Sequence, residues 1–176
     1  MTIKLSFVIA VSICLTVCLT AGCSSLLKNK DFDASNSGIF EITLSNGGGQ
    51  MNYWFQIILR KDGTAEYLGD VSPDRRSENR SFGQSTKEIQ RVKYRGKLPQ
   101  AQFEMLVKLI NDNHFFSMRE DNGGVMDAPQ TTTGVVKSGT RKEVHNQLGQ
   151  GGEKLAKIEH AISRATDQIK WEEELK

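Results

Sequence analysis

Cys23 is the residue whose chemistry can be assigned from its neighbours. It follows Ala21 and Gly22, and it closes an uncharged apolar run that begins at Leu5, after the basic residue Lys4. At about 16 residues, the run is shorter than the roughly 20 that a bilayer-spanning helix needs, and its layout is that of a secretory signal with a small-residue cleavage site. This pattern is a bacterial lipobox, which predicts cleavage before Cys23 and a lipid on its sulfur. The alternative is an uncleaved N-terminal anchor.

The lipobox accounts for all three cysteines. Cys14 and Cys18 leave with the signal and Cys23 carries the lipid, so the mature chain has neither a free thiol nor a disulfide and depends on its core for stability. A single acyl chain binds membranes only marginally, and we therefore expect a diacylglycerol anchor. Because Ser24, and not Asp, follows the cysteine, we expect the outer membrane, with the protein facing the periplasm.

Composition divides the chain into three parts. Residues 1–22 form the predicted signal peptide, residues 23–38 the lipidated cysteine and a polar, flexible tether, and residues 39–176 a single domain. The chain has 23 basic and 21 acidic side chains, and Lys4 leaves with the signal. The mature charge of about +1 points to no polyanion, and we expect no nucleic acid partner.

One local charge asymmetry interrupts this balance. Residues 74–97 contain eight basic and three acidic side chains. Such a cluster is suited to an anionic glycolipid or an acidic partner protein, although it can also be a solvated strand face and loop. The predicted patch consists of Arg75, Arg76, Arg80, Arg91, Lys93 and Arg95.

Other candidate chemistry lacks its required partners. The Ser25–Lys28 pair has the Ser-x-x-Lys spacing of penicillin-binding enzymes without their other motifs. The acidic residues of 120–127 miss the spacing of a calcium loop, and His114 has no second ligand nearby. The glycine-rich turn at 147–152 lacks the Gly-Lys-Ser/Thr of a phosphate loop. We expect no catalytic residues, no metal and no cofactor.

The elements that would carry a site are predicted by hydrophobic periodicity. Alternating residues predict strands at 39–44, 51–60, 64–69, 89–97, 131–136 and 140–145, with His145 facing outward. Apolar residues three and four apart predict two helices. Their inward residues are Phe103, Leu106, Val107 and Ile110 in the first, and Leu155, Ile158, Ile162, Ala165 and Ile169 in the second. The order favours an α+β fold, a mostly antiparallel sheet of about five to six strands with both helices packed on one face.

Several of these segments together resemble a known family. They are the hairpin at 55–69, the helix at 99–116 with its Phe-Phe exit, the Asp-Ala-Pro at 127–129 and the final helix. The chain is similar, over about Phe40 to Ile169, to an uncharacterised family of bacterial, mostly exported or lipid-anchored proteins catalogued as a domain of unknown function. That family often has Cys-Pro-x-Tyr entering the central strand, where this chain has Asn52-Tyr53-Trp54-Phe55. The resemblance implies no activity and no catalytic residues.

These observations lead to one expectation and two alternatives. We expect a membrane-tethered envelope lipoprotein that acts as a binding or structural module, through the open face of its sheet or through the basic patch. The first alternative is a hydrolase of an envelope polymer. The second is an inhibitor of an envelope-directed enzyme, with the loop at 70–85 as its inserting segment.

Overall fold

Two neighbouring strands near the centre of the sheet, at residues 55–60 and 64–69, bury every second residue, as a strand with one buried face does. The computed structural model describes residues 37–47, 54–75, 91–122 and 128–174, which belong to one compact unit, Asp33–Lys176. The strands of these ranges are β1 Ile39–Gly47, β2 Phe55–Arg60, β3 Thr64–Gly69, β4 Val92–Lys97, β5 Asp121–Asn122, β6 Gln130–Lys137, β7 Thr140–Gln147 and β8 Glu172–Glu173. The helices are α1 Gln100–Asp112 and α2 Gly152–Asp167.

All eight strands belong to one sheet, in the order β5-β7-β6-β1-β2-β3-β4-β8. Every neighbouring pair is antiparallel except β5 and β7, which are parallel. The predicted α+β class and mostly antiparallel sheet are confirmed, and the strand number is higher than the five or six expected. The two additional strands, β5 and β8, are two residues long and lie at the edges of the sheet.

Turn chemistry sets the register of the two hairpins. Gly63 takes a φ of 82° between β2 and β3, and the Asp62 carboxylate accepts a hydrogen bond of 2.8 Å from the backbone N–H of Thr64. Between β6 and β7, Ser138 and Gly139 both have positive φ, of 49° and 82°. The two-residue turn at Ser138-Gly139 matches the right-handed twist of the paired strands, and the three-residue loop at 61–63 has its glycine in the left-handed position that such loops require.

The core lies between one face of the sheet and the two helices. Helix α1 buries the four residues predicted for it, and α2 buries Leu155, Ile158, Ile162 and Ala165 together with Thr166. They pack on sheet residues such as Ile42, Ile57 and Leu59, all of which are fully buried. Ile169, predicted as part of the helical stripe, is buried just beyond the end of α2.

The predicted signal peptide and most of the tether lie outside the described residues. Ser37 and Gly38 are the exceptions, and they already belong to the sheet region: the Ser37 hydroxyl accepts a hydrogen bond from the N–H of Ile39, and the Gly38 carbonyl accepts one from Ser138. Within the ranges that the structure describes, no helix has the length and apolar composition needed to cross a bilayer.

Candidate functional site

The two faces of the sheet differ in what covers them. The helices pack on the face that carries Ile42, Ile57 and Tyr67, whereas no helix among the described residues packs on the opposite one. We call this opposite side the open face. Its side chains are those of Glu41, Thr43, Gln56, Ile58, Arg60, Glu66, Leu68, Lys93, Arg95, Thr132, Arg141, Glu143 and His145.

Two arginines hold the charged residues of the open face in a network. Arg60 contacts Glu41 at 3.3 Å and Glu66 at 2.8 Å, and Arg141 contacts Glu41 at 3.2 Å and Glu143 at 2.8 Å. The hydrogen bond from Arg60 lowers the pKa of Glu66 and raises that of the guanidinium. Single exposed ion pairs add little stability, but a shared network fixes where each charge points. The face therefore presents an ordered pattern of charges.

Gly134 makes room for this network at the centre of the sheet. A Cβ at Gly134 would lie 2.3 Å from the Thr43 hydroxyl, which itself accepts a hydrogen bond of 3.2 Å from the Arg141 guanidinium. A side chain there would press on the Thr43 hydroxyl and so disturb its hydrogen bond with Arg141. The glycine is needed for a close approach of side chains and not for a turn.

Strand β4 carries Lys93 and Arg95 of the predicted basic patch, and residues 172–174 lie against them. The Glu174 carboxylate contacts Lys93 Nζ at 2.8 Å and Arg95 Nη2 at 2.9 Å, and its backbone N–H donates to the Lys93 carbonyl at 2.8 Å. The hydrogen bond from Lys93 lowers the pKa of Glu174. Glu172 and Glu173 pair with Arg95 and Tyr94 as β8.

Trp54 and Arg91 form a corner at one end of the open face. The backbone N–H of Trp54 donates to the Asp70 carboxylate at 2.9 Å. The Arg91 guanidinium lies 4.8 Å from the centre of the indole ring and 3.7 Å from the same carboxylate. The indole also lies over Gly47, where a Cβ would be 2.5 Å from Trp54 Cδ1. Cation–π contact and ion pairing together orient Arg91.

The structure brings together half of the predicted basic patch. Arg91, Lys93 and Arg95 lie on alternate positions of one strand segment and share the open face, each beside a carboxylate. Arg75 ends a short 3-10 turn, Pro73–Arg75, while Arg76 and Arg80 lie outside the described residues. Cys23 lies outside them as well. A role in binding an anionic surface or partner stays a prediction for all six basic residues.

A cleft of about 600 Å³ opens at the end of the sheet where β1 stops and β2 starts. Asn46, Phe55 and Trp171 line it, and two carboxylates, Asp74 and Asp167, lie on its wall. Both aspartates are exposed to solvent.

A buried polar cluster links β7 to the start and the middle of α2, and no pattern in the sequence indicated it. Asn146 is buried; its amide donates to Glu159 Oε2 at 2.8 Å, and its oxygen accepts a hydrogen bond of 2.9 Å from Gly151 N–H. Burial raises the pKa of Glu159, and the hydrogen bond from Asn146 offsets part of that effect. Because Asn146 occupies the Gly151 N–H, this donor of the glycine-rich turn is taken within the protein.

The histidines and acidic residues form no metal centre in the part of the chain that the structure describes, since no group of three potential ligands meets there. His145 lies on the open face as predicted, and its Nδ1 makes a hydrogen bond of 2.9 Å with the Thr132 hydroxyl. His114 is exposed in a left-handed conformation after α1, with a φ of 55°. Residues 123–127 of the acidic loop lie outside the described residues.

Comparison with known proteins identifies one family. The model of the family described as "Domain of unknown function (DUF6438)" matches residues 54–166, from the residue before β2 to the last turn of α2. No curated protein matches the chain.

Proposed function

The chain belongs to the DUF6438 family, a family of unknown function, and from that premise we propose that it is a membrane-tethered binding module of the bacterial envelope. The observation that carries this proposal is the open face. Its charged side chains are ordered by mutual contacts before any partner arrives, as the sharing of Glu41 between Arg60 and Arg141 illustrates. Side chains usually lose entropy when an interface orders them, and binding at this face requires little further ordering.

The tether is the second part of the proposal. The lipobox around Cys23 supports a lipid anchor that holds the domain at the outer membrane, facing the periplasm. The polar residues that follow supply a spacer between that anchor and the first strand. Replacing Cys23 by Ser should abolish labelling with an alkyne-palmitate analogue. Retained labelling of that variant would contradict the anchor.

The pattern of charges favours a protein partner over a phosphate-dense glycolipid. A carboxylate partly neutralises two cations of β4, because Glu174 pairs with both Lys93 and Arg95. A polyanionic surface would meet acidic residues interspersed among the basic ones. A protein can present charges of both signs in a matching arrangement, which gives specificity.

Site-specific photo-crosslinking in cells tests the binding face. A photoreactive amino acid is placed at Gln56 or Leu68, which are neighbours on the open face, and at Met105 or Lys157 as controls on the exposed sides of the helices. We expect a discrete crosslinked species from the open-face positions that the helix positions do not give. Equal capture from both sides, or no capture from the open face, would refute the proposed binding face.

A hydrolase of an envelope polymer is the second candidate, and the cleft lined by Asp74 and Asp167 is the observation in its favour. A pair of carboxylates can serve as acid and base, or as acid and nucleophile, in glycoside hydrolysis. The test is release of soluble fragments from purified peptidoglycan by the wild-type protein and by the Asp74→Asn and Asp167→Asn variants. Release by the wild type that either variant loses would support the hydrolase. Release that is absent, or unchanged in both variants, would eliminate it.

A further inference from the structure

The last residues before β8 are fixed to the core. Ile169 is buried, and the Trp171 ring lies 5.9 Å from Tyr67, with its indole N–H donating to the Thr166 carbonyl at 3.3 Å. The chain crosses β4 at Gly96, where a Cβ would be 2.3 Å from Ile169 Cγ2. The path of the chain is therefore determined as far as Trp171.

Beyond Trp171 the attachment changes from packing to charge. Glu172 and Glu173 are exposed, and their ladder with β4 is two residues long. Glu174 adds one backbone hydrogen bond and its two ion pairs, with Lys93 and Arg95. Exposed pairs of this kind each change an equilibrium by about fivefold at most. The residues of β8 can therefore leave β4 while the core below Trp171 stays packed.

Strand β4 is longer than the segment that covers it. It runs from Val92 to Lys97, and within the described ranges β8 pairs only with Tyr94 and Arg95. Where β8 does not cover it, β4 forms the edge of the sheet, and such an edge can accept an added strand from another chain. On β4 the exposed side chains of the open face, Lys93, Arg95 and Lys97, are all basic and stand two residues apart.

We propose that β4 is a strand-addition site for an extended acidic segment of a partner protein, and that Glu172–Glu174 occupies this site until the partner displaces it. The inference rests on the proposed binding function and names the class of partner. The argument is charge complementarity: the tail shows that a carboxylate on this edge reaches Lys93 and Arg95 together. A segment with an acidic residue at every second position would repeat that contact on Lys93 and Arg95, the part of β4 that lies before the Gly96 crossing.

A binding assay with the full chain in detergent micelles tests this inference. The probe is a fluorescent peptide of alternating Thr and Glu, seven residues long, with a control peptide in which Gln replaces each Glu. Fluorescence anisotropy compares the wild type with E174Q, which removes both ion pairs of the tail. E153Q is the matched control, because it removes a carboxylate that pairs with Lys157 on α2. We expect E174Q to bind the acidic peptide about five- to tenfold more tightly than the wild type, and E153Q to match the wild type.

The cation variants complete the experiment. K93Q/R95Q should lose binding of the acidic peptide, whereas K154Q/R164Q, which removes two exposed cations from α2, should retain it. The charge-reversed K93E/R95E should instead bind a peptide of alternating Thr and Lys. Circular dichroism of each variant verifies that the fold is retained.

Three results would overturn the strand-addition site. They are equal binding of the Glu and Gln peptides, wild-type affinity in E174Q, and preferential binding of phosphatidylglycerol vesicles that requires Lys93 and Arg95. A dimer in light scattering that E174Q abolishes would also overturn it, because a second copy would then be the occupant. If the peptide fails while crosslinking from Gln56 still captures a partner, the acidic strand is wrong and the binding function stands. If crosslinking from the open face also fails, the binding function is wrong.

Discussion

Gly96→Ala should destabilise the domain by forcing β4 away from the chain that crosses it. An alanine Cβ at this position would lie 2.3 Å from Ile169 Cγ2, 3.1 Å from the Lys170 carbonyl oxygen and 3.3 Å from Trp171 Cε3. Ordinary van der Waals contact begins at 3.4 Å, so the nearest pair must separate by more than 1 Å.

The neighbours of Gly96 can yield little. Ile169 is β-branched, which restricts its χ1, and it is buried, while the second contact is backbone. Overpacking of this kind costs about 1–3 kcal/mol, and we expect about 2 kcal/mol for Gly96→Ala. In a domain of this size, that loss lowers Tm by about 4–8 °C.

Urea unfolding followed by circular dichroism measures the loss directly. Lys97→Ala is the control on the same strand, since that side chain is exposed, and it should change the free energy of unfolding by less than about 0.5 kcal/mol. A Gly96→Ala variant as stable as the control would refute the reasoning, because it would show that the Ile169–Trp171 crossing can move without cost.

Three further predictions concern the interior and the open face. Tyr67→Phe removes a fully buried hydroxyl that donates to the Val71 carbonyl at 2.8 Å. Urea titration should show that the free energy of unfolding falls by about 1–2 kcal/mol, and an unchanged value would contradict that hydrogen bond. Burial raises the pKa of Glu159, and the folded state is therefore stabilised when this carboxyl is protonated. That stabilisation is fully present below the ordinary glutamate pKa of about 4.3 and is lost as the pH rises through the folded-state pKa of Glu159. Glu159→Gln should remove that decline in unfolding free energies measured from pH 4 to 8, and an unchanged pH profile would show that another group causes it. Gly134→Ala should cost about 1–3 kcal/mol by pressing on the Thr43 hydroxyl, and an unchanged Tm would refute the close approach.

The long elements follow from local patterns, and for that reason the sequence predicts them. The alternation in β2 and β3 and the apolar stripe of α1 are each repeated over several residues, and both survive in the structure. The boundaries shift where tertiary pairing decides them. Strand β1 continues to Gly47, beyond the predicted end at 44, because β6 pairs with it as far as Gln130.

What the sequence could not predict depends on contacts between distant segments. Residues 172–174 have the composition of an acidic tail, and nothing in their own pattern indicates a strand. Glu172 and Glu173 become β8 because β4, which is far from them in the sequence, supplies the hydrogen bonds, and its cations pair with Glu174. Likewise, Glu159 lies beside the apolar stripe of α2, and nothing in the pattern of that helix indicates its hydrogen bond with Asn146 on β7. The basic patch was visible in sequence, whereas the carboxylates that pair with it were not.

The acidic character of β8 also bears on how copies of this protein behave beside one another. An exposed edge strand is a template for pairing with the same edge of another molecule, which is a common start of aggregation. Here β8 carries Glu172 and Glu173, both exposed, whereas the Glu174 that follows is paired with Lys93 and Arg95. Two copies that approach edge to edge would bring the exposed carboxylates within a Debye length of about 8 Å of each other, where like charges repel. The two glutamates of β8 therefore disfavour edge-to-edge pairing of two copies.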